Sequence, residues 1–266
     1  MTLSGIFVYP IKSCRGIARG RHEVGPSGFD LDRRWMLVDD AGTFLSQRTL
    51  PAMATIGVAL DGAGLLVTAP ERSPLRIPRT VPSPSSASVR IWADAVGAVA
   101  YPAEFGAWFS ELLGVPCRLV SMPDPSPRPV NLRYGAPGDR VGFADAYPFH
   151  LLSEASLEDL NGRLARPVPM DRFRPNLVVR GTAPFAEDRW RRIRIGAMTF
   201  RVVKPCVRCT VPGIDQRTGV REKEPLAALA AYRTTGNDVR FGQNVIADGT
   251  GLLEVGMPVE VIEGTD

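Results

Sequence analysis

The stretch IRIGAMTFRVVKPCVRCT, residues 193–210, decides the fold class of this chain. Apolar and β-branched residues fill 193–195 and 198–203, and the Gly196-Ala197 pair between them is typical of a tight turn. We therefore expect two strands joined by a hairpin, the second of which runs directly into a Cys-x-x-Cys pair.

The rest of the chain repeats this β-rich pattern and adds few helical segments. Short apolar runs punctuated by Gly, Pro and Asp predict further strands at residues 6–9, 35–38, 54–60, 65–68, 177–179 and 255–262. Helical spacing or capping residues predict three short helices, at residues 102–113, after Ser153 or Ser156, and at 225–232. Residues 121–137 hold five prolines and predict a connector. We expect a β-dominated α+β protein with domains at residues 1–120 and 121–266.

The composition is that of a globular protein, with 44% hydrophobic and 23% charged residues. Lys12, Lys204 and Lys223 are the only lysines among 32 basic residues, so arginine supplies most positive charge. Arginine is the better bidentate partner for phosphate and carboxylate. The arginines form no basic run and match no nucleic-acid-binding motif, so nucleic acid is not an expected partner.

The expected location is the cytoplasm. The first residues contain no secretory signal, no window approaches 18 consecutive apolar residues, and we expect no membrane association. Four cysteines are too few for a disulfide scaffold.

The pair Cys206 and Cys209 leaves several interpretations open. A structural zinc site needs four ligands, a redox pair is usually followed by a helix, and two free cysteines can simply pack in a core. Lys204 and Arg208 flank the thiols, and positive charge would lower a thiol pKa and favour the thiolate that ligates metals. A thiolate in a basic setting suits a metal carried by an anionic cofactor.

Other short motifs are ambiguous when taken alone. Lys12-Ser13 could hold a phosphate or lie at the surface, Arg33 could pair with Asp30 or Asp32, and Arg174, two residues before Asn176, could pair with Asp171. With two histidines and no Gly-x-Ser-x-Gly or Walker motif, a serine hydrolase or P-loop enzyme has no support.

Seven segments together resemble MOSC-domain proteins with an N-terminal β-barrel domain, the family that includes the mitochondrial amidoxime-reducing component and bacterial relatives. They are VYPIKSC (8–14), LDRRWMLVD (31–39), FADAYPFHLLSEASLEDLN (143–161), FRPNLVV (173–179), KPCVRCTVPGIDQRTG (204–219), EPLAALAAYR (224–233) and FGQN (241–244). The resemblance implies an N-terminal β-barrel-like domain, a MOSC β-barrel domain with a few short helices, and a bound molybdenum cofactor (molybdopterin with Mo).

The resemblance also implies roles for particular residues. Cys209 would be the protein ligand of molybdenum and the catalytic residue. The residues implied to bind the cofactor are Lys12, Ser13 and Arg33 at its phosphate, Arg174 and Asn176 at the pterin, and Ser153, Arg208 and Asn244. Two positions depart from some relatives: Val207 stands where they have serine, and Asn244 where amidoxime-reducing proteins have an aromatic residue.

The implied function is a molybdenum-dependent oxidoreductase that reduces small N-hydroxylated compounds. No cysteine follows Cys209, so electrons are expected from a separate protein such as a ferredoxin or a flavoprotein reductase. The main alternative is a non-catalytic carrier of the molybdenum cofactor, or a module that transfers sulfur as a persulfide, with Cys206 as a possible relay. A third is a β-barrel interaction domain whose site is vestigial.

Overall fold

The computed structural model describes residues 1–265 and is dominated by strands. In chain order the strands are β1 (Thr2–Val8), β2 (Ile17–Arg19), β3 (Arg21–Gly25), β4 (Gly28–Phe29), β5 (Trp35–Val38), β6 (Gly57–Leu60), β7 (Gly64–Thr68), β8 (Leu75–Pro78), β9 (Ser85–Ile91), β10 (Asp94–Ala100), β11 (Arg118–Ser121), β12 (Phe149–Ser153), β13 (Leu177–Arg180), β14 (Trp190–Ile195), β15 (Met198–Val207), β16 (Thr234–Thr235), β17 (Asp238–Ala247), β18 (Gly251–Glu254) and β19 (Val259–Gly264). The β-dominated α+β class is confirmed.

Three α-helices lie close to their predicted positions. They are α1 (Ala103–Leu113), α2 (Glu154–Asn161) and α3 (Leu226–Tyr232), and short 3-10 helices occur at Pro51–Thr55, Met170–Phe173, Ala186–Arg189 and Val211–Gly213. Helix α1 buries Phe105 and Phe109, four residues apart on one face. It ends at Gly114, whose φ of 69° is the left-handed conformation that glycine adopts without strain.

The largest sheet has the strand order β19-β14-β15-β17-β12-β13-β1-β2, with β16 added against β17. Its pairs are antiparallel except β12 with β13. Within residues 1–265 this sheet does not close, so the closed β-barrels implied by the resemblance are not observed. The chain leaves the sheet after β2, and β3 pairs with β18 and β4 instead. One isolated bridge, Thr2 with Pro258, links β1 to the residue just before β19.

The N-terminal strands lie in the sheets of the C-terminal half. β1 pairs with β13, with Ile6 opposite Leu177, and β3 pairs with β18, with His22 opposite Leu253. A four-stranded sheet, β5-β11-β10-β9, and a three-stranded sheet, β6-β7-β8, form the remainder of the N-terminal half. The division between residues 120 and 121 stays a prediction. Strands β1 and β3, although they precede this division in sequence, pair with strands of the C-terminal half.

Two large cores support these sheets. One lies under the nine-stranded sheet and includes Ile6, Phe149 and Phe200, and the other lies under α1 and includes Trp35 and Phe109. Each buried phenylalanine contributes about 3–5 kcal/mol relative to alanine. The cores therefore hold the central strands β12, β15 and β17 in place.

Strand β15 runs four residues beyond its predicted end at residue 203. Residues 204–207 continue to pair with β17, with Lys204 opposite Asn244 and Val207 opposite Arg240. The register shifts twice, between residues 202 and 204 and between 205 and 207. Such bulges turn side chains away from the regular alternation, and here they lie at the Cys-x-x-Cys pair.

Candidate functional site

A cavity of about 420 Å³ lies between the two halves of the chain. Eight of the nine residues assigned from the sequence line it, namely Lys12, Ser13, Arg33, Arg174, Asn176, Arg208, Cys209 and Asn244. Its other functional side chains are Arg48, Trp92, Asp145, Tyr147, His150 and Cys206. The fold thus brings together residues that are up to 232 positions apart (244 minus 12).

Backbone strain is concentrated at this cavity. Four lining residues have positive φ although they are not glycine: Ser13 (69°), Arg33 (47°), Trp92 (55°) and Arg174 (53°). They are half of the eight such residues in the described chain. Left-handed backbone at a bulky residue persists where the surrounding structure demands it, and it is often found at functional sites.

Arg208 organises the Cys206 side of the cavity. Its Nη1 donates to Cys206 Sγ at 3.1 Å and to His150 Nε2 at 3.2 Å, and its Nη2 donates to the Phe173 carbonyl at 3.0 Å. Burial raises the pKa of the Cys206 thiol, and Arg208 opposes this only in part. The lowered thiol pKa expected for the pair is therefore not found at Cys206.

His150 contacts Arg208 in the wall of the cavity. Burial, with help from Arg208, holds its pKa well below the ordinary histidine value. Because arginine can only donate, Nε2 of His150 is the acceptor. Gly242 on β17 permits the close approach, since a Cβ there would lie 2.4 Å from His150 Nε2.

Arg48 organises the Cys209 side. Its Nη2 lies 3.5 Å from Cys209 Sγ and 2.6 Å from Asp145 Oδ2. Lys12 Nζ holds the other carboxylate oxygen at 2.6 Å and also donates to the Phe143 carbonyl at 2.8 Å. Burial alone would raise the pKa of Asp145, but the charges of Lys12 and Arg48 outweigh it and hold the pKa well below its usual range.

Sequence reasoning missed Arg48 and Asp145. It placed Lys204 beside the thiols, yet Lys204 Nζ lies 4.8 Å above the Tyr134 ring. Arg48 is 161 residues from Cys209 in the chain, and no motif marks it. Asp145 lies in the FADAYP segment of the family resemblance, which was the one available signal.

A third group of side chains is anchored on Tyr9. The guanidinium carbons of Arg33 and Arg174 lie 4.2 and 4.3 Å from the Tyr9 ring centroid. Arg33 Nη1 donates to Asp32 Oδ2 at 2.6 Å and to Asn176 Oδ1 at 2.8 Å. Asn176 is 1% exposed and Asp32 6%, so both act mainly by holding Arg33 at the cavity wall.

Arg174 and Asn244 use partners that the sequence did not predict. Arg174 Nη1 donates to Gln216 Oε1 at 3.3 Å, where Asp171 was the expected partner. Burial lowers the pKa of Arg174 to about 10. Asn244 Nδ2 lies 3.4 Å from the Pro205 carbonyl, which ties β17 to the Cys-x-x-Cys segment.

Ser153, the ninth assigned residue, lies outside the cavity. It is the N-cap of α2, and its hydroxyl accepts from the Ser156 backbone N–H at 3.1 Å. A buried carboxylate, Glu187, accepts from Ser153 N at 3.2 Å and from Ser156 Oγ at 2.7 Å. The carboxyl group of Glu187 therefore occupies the start of the helix, where the resemblance implied a contact with the cofactor.

The lining is strongly cationic and suits an anionic ligand. Lys12, Arg33, Arg48, Arg174 and Arg208 face the cavity together with a single carboxylate, Asp145. Within residues 1–265, Nε of Arg48 and Nε of Arg208 are buried without a hydrogen-bond partner. Buried donors are normally paired, so an anion would complete this set.

The four cysteines form two separate groups. Cys206 and Cys209 line the cavity, whereas Cys14 and Cys117 are buried in the core under α1. In the described part of the chain no three or more His, Cys, Asp or Glu side chains are grouped to hold a metal ion. Within residues 1–265 the side chains around Cys209 therefore do not form a metal site by themselves.

Comparison with known proteins identifies the family of this chain. The family model described as the MOSC domain matches residues 138–260, and the one described as the MOSC N-terminal beta barrel domain matches residues 1–116. Mitochondrial amidoxime-reducing component 1 of Mus musculus is 32% identical over 98% of this chain and 82% of its own length. The chain belongs to the MOSC family.

This MOSC protein covers different shares of two further proteins that it matches. The molybdenum cofactor sulfurase of Oryza sativa subsp. japonica is 31% identical over 90% of this chain but only 32% of that protein. A solution structure of a Bordetella bronchiseptica protein matches 35% of this chain and 74% of its own, with 28% identity and a TM-score of 0.32. None of the helices in residues 1–265 combines the length and apolar character needed to cross a membrane.

Proposed function

We propose that this MOSC protein binds the molybdenum cofactor in the cavity through the Cys209 thiolate and reduces N-hydroxylated compounds there. The observation that carries the proposal is a thiol, Cys209, in the wall of a cavity with five cationic side chains and one carboxylate. A molybdenum cofactor is an anionic group whose metal accepts one protein thiolate. When bound, it would supply the two-electron redox chemistry.

The surrounding residues have distinct roles in this proposal. Arg33, Arg174 and Arg208 bind the anionic part of the cofactor, and Lys12 and Ser13 border the same space. Asn176 and Asp32 hold Arg33 in position. Arg48 lies beside Cys209 and stabilises negative charge on its sulfur, since a guanidinium donor strengthens when its acceptor is anionic.

The proposed reaction removes oxygen from an N-hydroxyl group. It consumes two electrons and two protons, breaks the N–O bond, and releases the reduced nitrogen compound and water. The electrons come from a separate redox protein, for which a ferredoxin or a flavoprotein reductase is our expectation. The comparisons support this reading because the Mus musculus relative is named for amidoxime reduction.

A second candidate function is transfer of sulfur or of the cofactor itself. Cys206 lines the same cavity as Cys209 and lies 3.1 Å from an Arg208 nitrogen, a donor that would also serve a bound persulfide. Relatives named molybdenum cofactor sulfurase support this alternative. A holo-protein with stoichiometric molybdenum that turns over no N-hydroxylated substrate would favour it.

The test is metal analysis of protein made in a host that synthesises the cofactor. We expect near-stoichiometric molybdenum in the wild type, at least a tenfold loss in Cys209→Ala, and retention in the matched control Cys206→Ala. The loaded protein is then given benzamidoxime and a chemical reductant. Full molybdenum content in Cys209→Ala would overturn the assignment of the ligand.

A further inference from the structure

Trp92 combines an unusual backbone conformation with an exposed side chain. It is the first of the two residues, Trp92-Ala93, that connect β9 to β10, where Ile91 pairs with Asp94. Its φ is 55°, a value that hairpin turns normally assign to glycine, asparagine or aspartate. Its side chain is 52% exposed, whereas Trp35 and Trp190 are 2% and 5% exposed.

The ring of Trp92 is nevertheless held firmly. The guanidinium carbon of Arg48 lies 4.7 Å from its centroid, and the Phe44 ring meets it edge-on at 5.0 Å. Arg48 is held in turn by Asp145, and the same Nη2 reaches Cys209 Sγ at 3.5 Å. One arginine side chain therefore spans the distance from Trp92 to the proposed metal ligand.

Trp92 also changes the character of the cavity. Val207, which is 40% exposed, lines the cavity as well, and these two are the exposed large apolar side chains of a lining that also contains five cationic side chains. Exposed apolar surface at a binding cavity usually meets an apolar part of the ligand. Arg48 lies over the Trp92 ring, and the rest of the ring is exposed, so the lining offers aromatic surface beside a guanidinium donor.

We propose that Trp92 is the wall on which substrate stacks, and that it selects planar aromatic N-hydroxylated compounds over small aliphatic ones. The inference rests on the proposed function and names its substrate class. The aromatic ring of the substrate lies against the part of the Trp92 ring that Arg48 and Phe44 leave exposed, and its N-hydroxyl group points past Arg48 toward Cys209. Stacking of two aromatic rings adds to affinity beyond simple burial, and it is absent for a methyl group.

The first experiment compares two amidoximes on the molybdenum-loaded protein. We expect Trp92→Gly to lower the ratio of kcat/KM for benzamidoxime to that for acetamidoxime by about tenfold. Trp92→Phe should retain most of the ratio. Glycine suits the positive φ at this turn, so a folding defect is not expected. Trp108→Phe, a change at a tryptophan outside the cavity, is the matched control and should leave the ratio unchanged.

The second experiment needs no turnover. Benzamidoxime is titrated into oxidised holo-protein without reductant while tryptophan fluorescence is recorded, with acetamidoxime as the comparison. We expect benzamidoxime to quench the wild type and Trp108→Phe but not Trp92→Gly. Equal quenching in Trp92→Gly, or an unchanged substrate ratio, overturns the proposal. If the loaded wild type reduces neither amidoxime yet shows Trp92-dependent quenching, the proposed reaction fails while the stacking role stands.

Discussion

Strand β12 carries a buried polar cluster at each end, and the two clusters differ in completeness. At the C-terminal end of β12, the carboxyl group of Glu187 accepts from Ser153 Oγ at 3.0 Å and from Ser156 Oγ at 2.7 Å. Glu187 is 1% exposed. Near the start of β12, His150 meets Arg208, whose Nε has no partner within residues 1–265. A buried polar cluster that is satisfied supports the fold, whereas one with missing partners is prepared for a ligand.

The largest expected effect tests the satisfied cluster. Glu187→Ala leaves Ser153 N and Ser156 Oγ without this acceptor, whereas Ser153 Oγ can still donate to Ser156 Oγ at 2.7 Å, so the free energy of unfolding should fall by about 3 kcal/mol. Urea denaturation measures this. The exposed Glu158 on α2 provides the matched control, and Glu158→Ala should cost less than about 0.5 kcal/mol. Equal losses in the two variants would contradict the structural role of Glu187.

Ser153→Ala separates capping from cofactor binding. Loss of the N-cap of α2 should lower the free energy of unfolding by about 1–2 kcal/mol. Molybdenum per folded protein should not change, because Ser153 does not line the cavity. A large loss of molybdenum in correctly folded Ser153→Ala would place this residue back in the site.

Arg48→Met tests the other unpartnered buried donor at the cavity, Nε of Arg48. The variant gives up an ion pair with the half-exposed Asp145 and also removes an unpartnered buried donor, so stability should change by less than about 1 kcal/mol. Molybdenum retention after dialysis should nevertheless fall at least about threefold, since a charge-assisted contact is lost. Unchanged retention would show that Arg48 does not serve the bound group.

The smallest expected effect is a dependence of stability on pH at Glu187. Burial raises the pKa of Glu187 above its unfolded value of about 4.3. The ionised Glu187 carboxylate is therefore less stable in the folded protein than in the unfolded chain. The resulting loss of folding stability is absent below the unfolded pKa and grows as pH rises through the folded pKa. Glu187→Gln cannot ionise, so its stability relative to the wild type should increase from about pH 4 to pH 7. A flat difference would show that hydrogen bonds cancel the burial effect.

The sequence was informative wherever the signal was local. The hairpin at Gly196-Ala197 joins β14 and β15 as predicted, with Ile195 opposite Met198. The three helices also lie near their predicted residues. These elements depend on turn chemistry, capping and apolar periodicity, which act over a few residues.

The site was predicted only in part. The resemblance named Lys12, Arg33, Arg174 and Arg208 together with Cys209, and the structure places all five around one cavity. It also included Ser153, because a capping serine and a ligand-binding serine look alike until Glu187 is seen to occupy the helix N-terminus. Trp92 had no signal, since an aromatic residue in a strand-rich region is ordinary unless its turn geometry is known.

By itself the sequence determined the β-dominated class, the positions of the main strands and helices, and the set of segments that identify the MOSC family. The tertiary structure alone decided that the sheet stays open, that Arg48 contacts both Asp145 and Cys209, and that Trp92 lines the cavity. The physical reason is the separation along the chain over which each kind of interaction acts. Backbone propensity and turn chemistry act between near neighbours, whereas the charge and hydrogen bonding of a buried site depend on side chains that the fold brings together from distant parts of the chain.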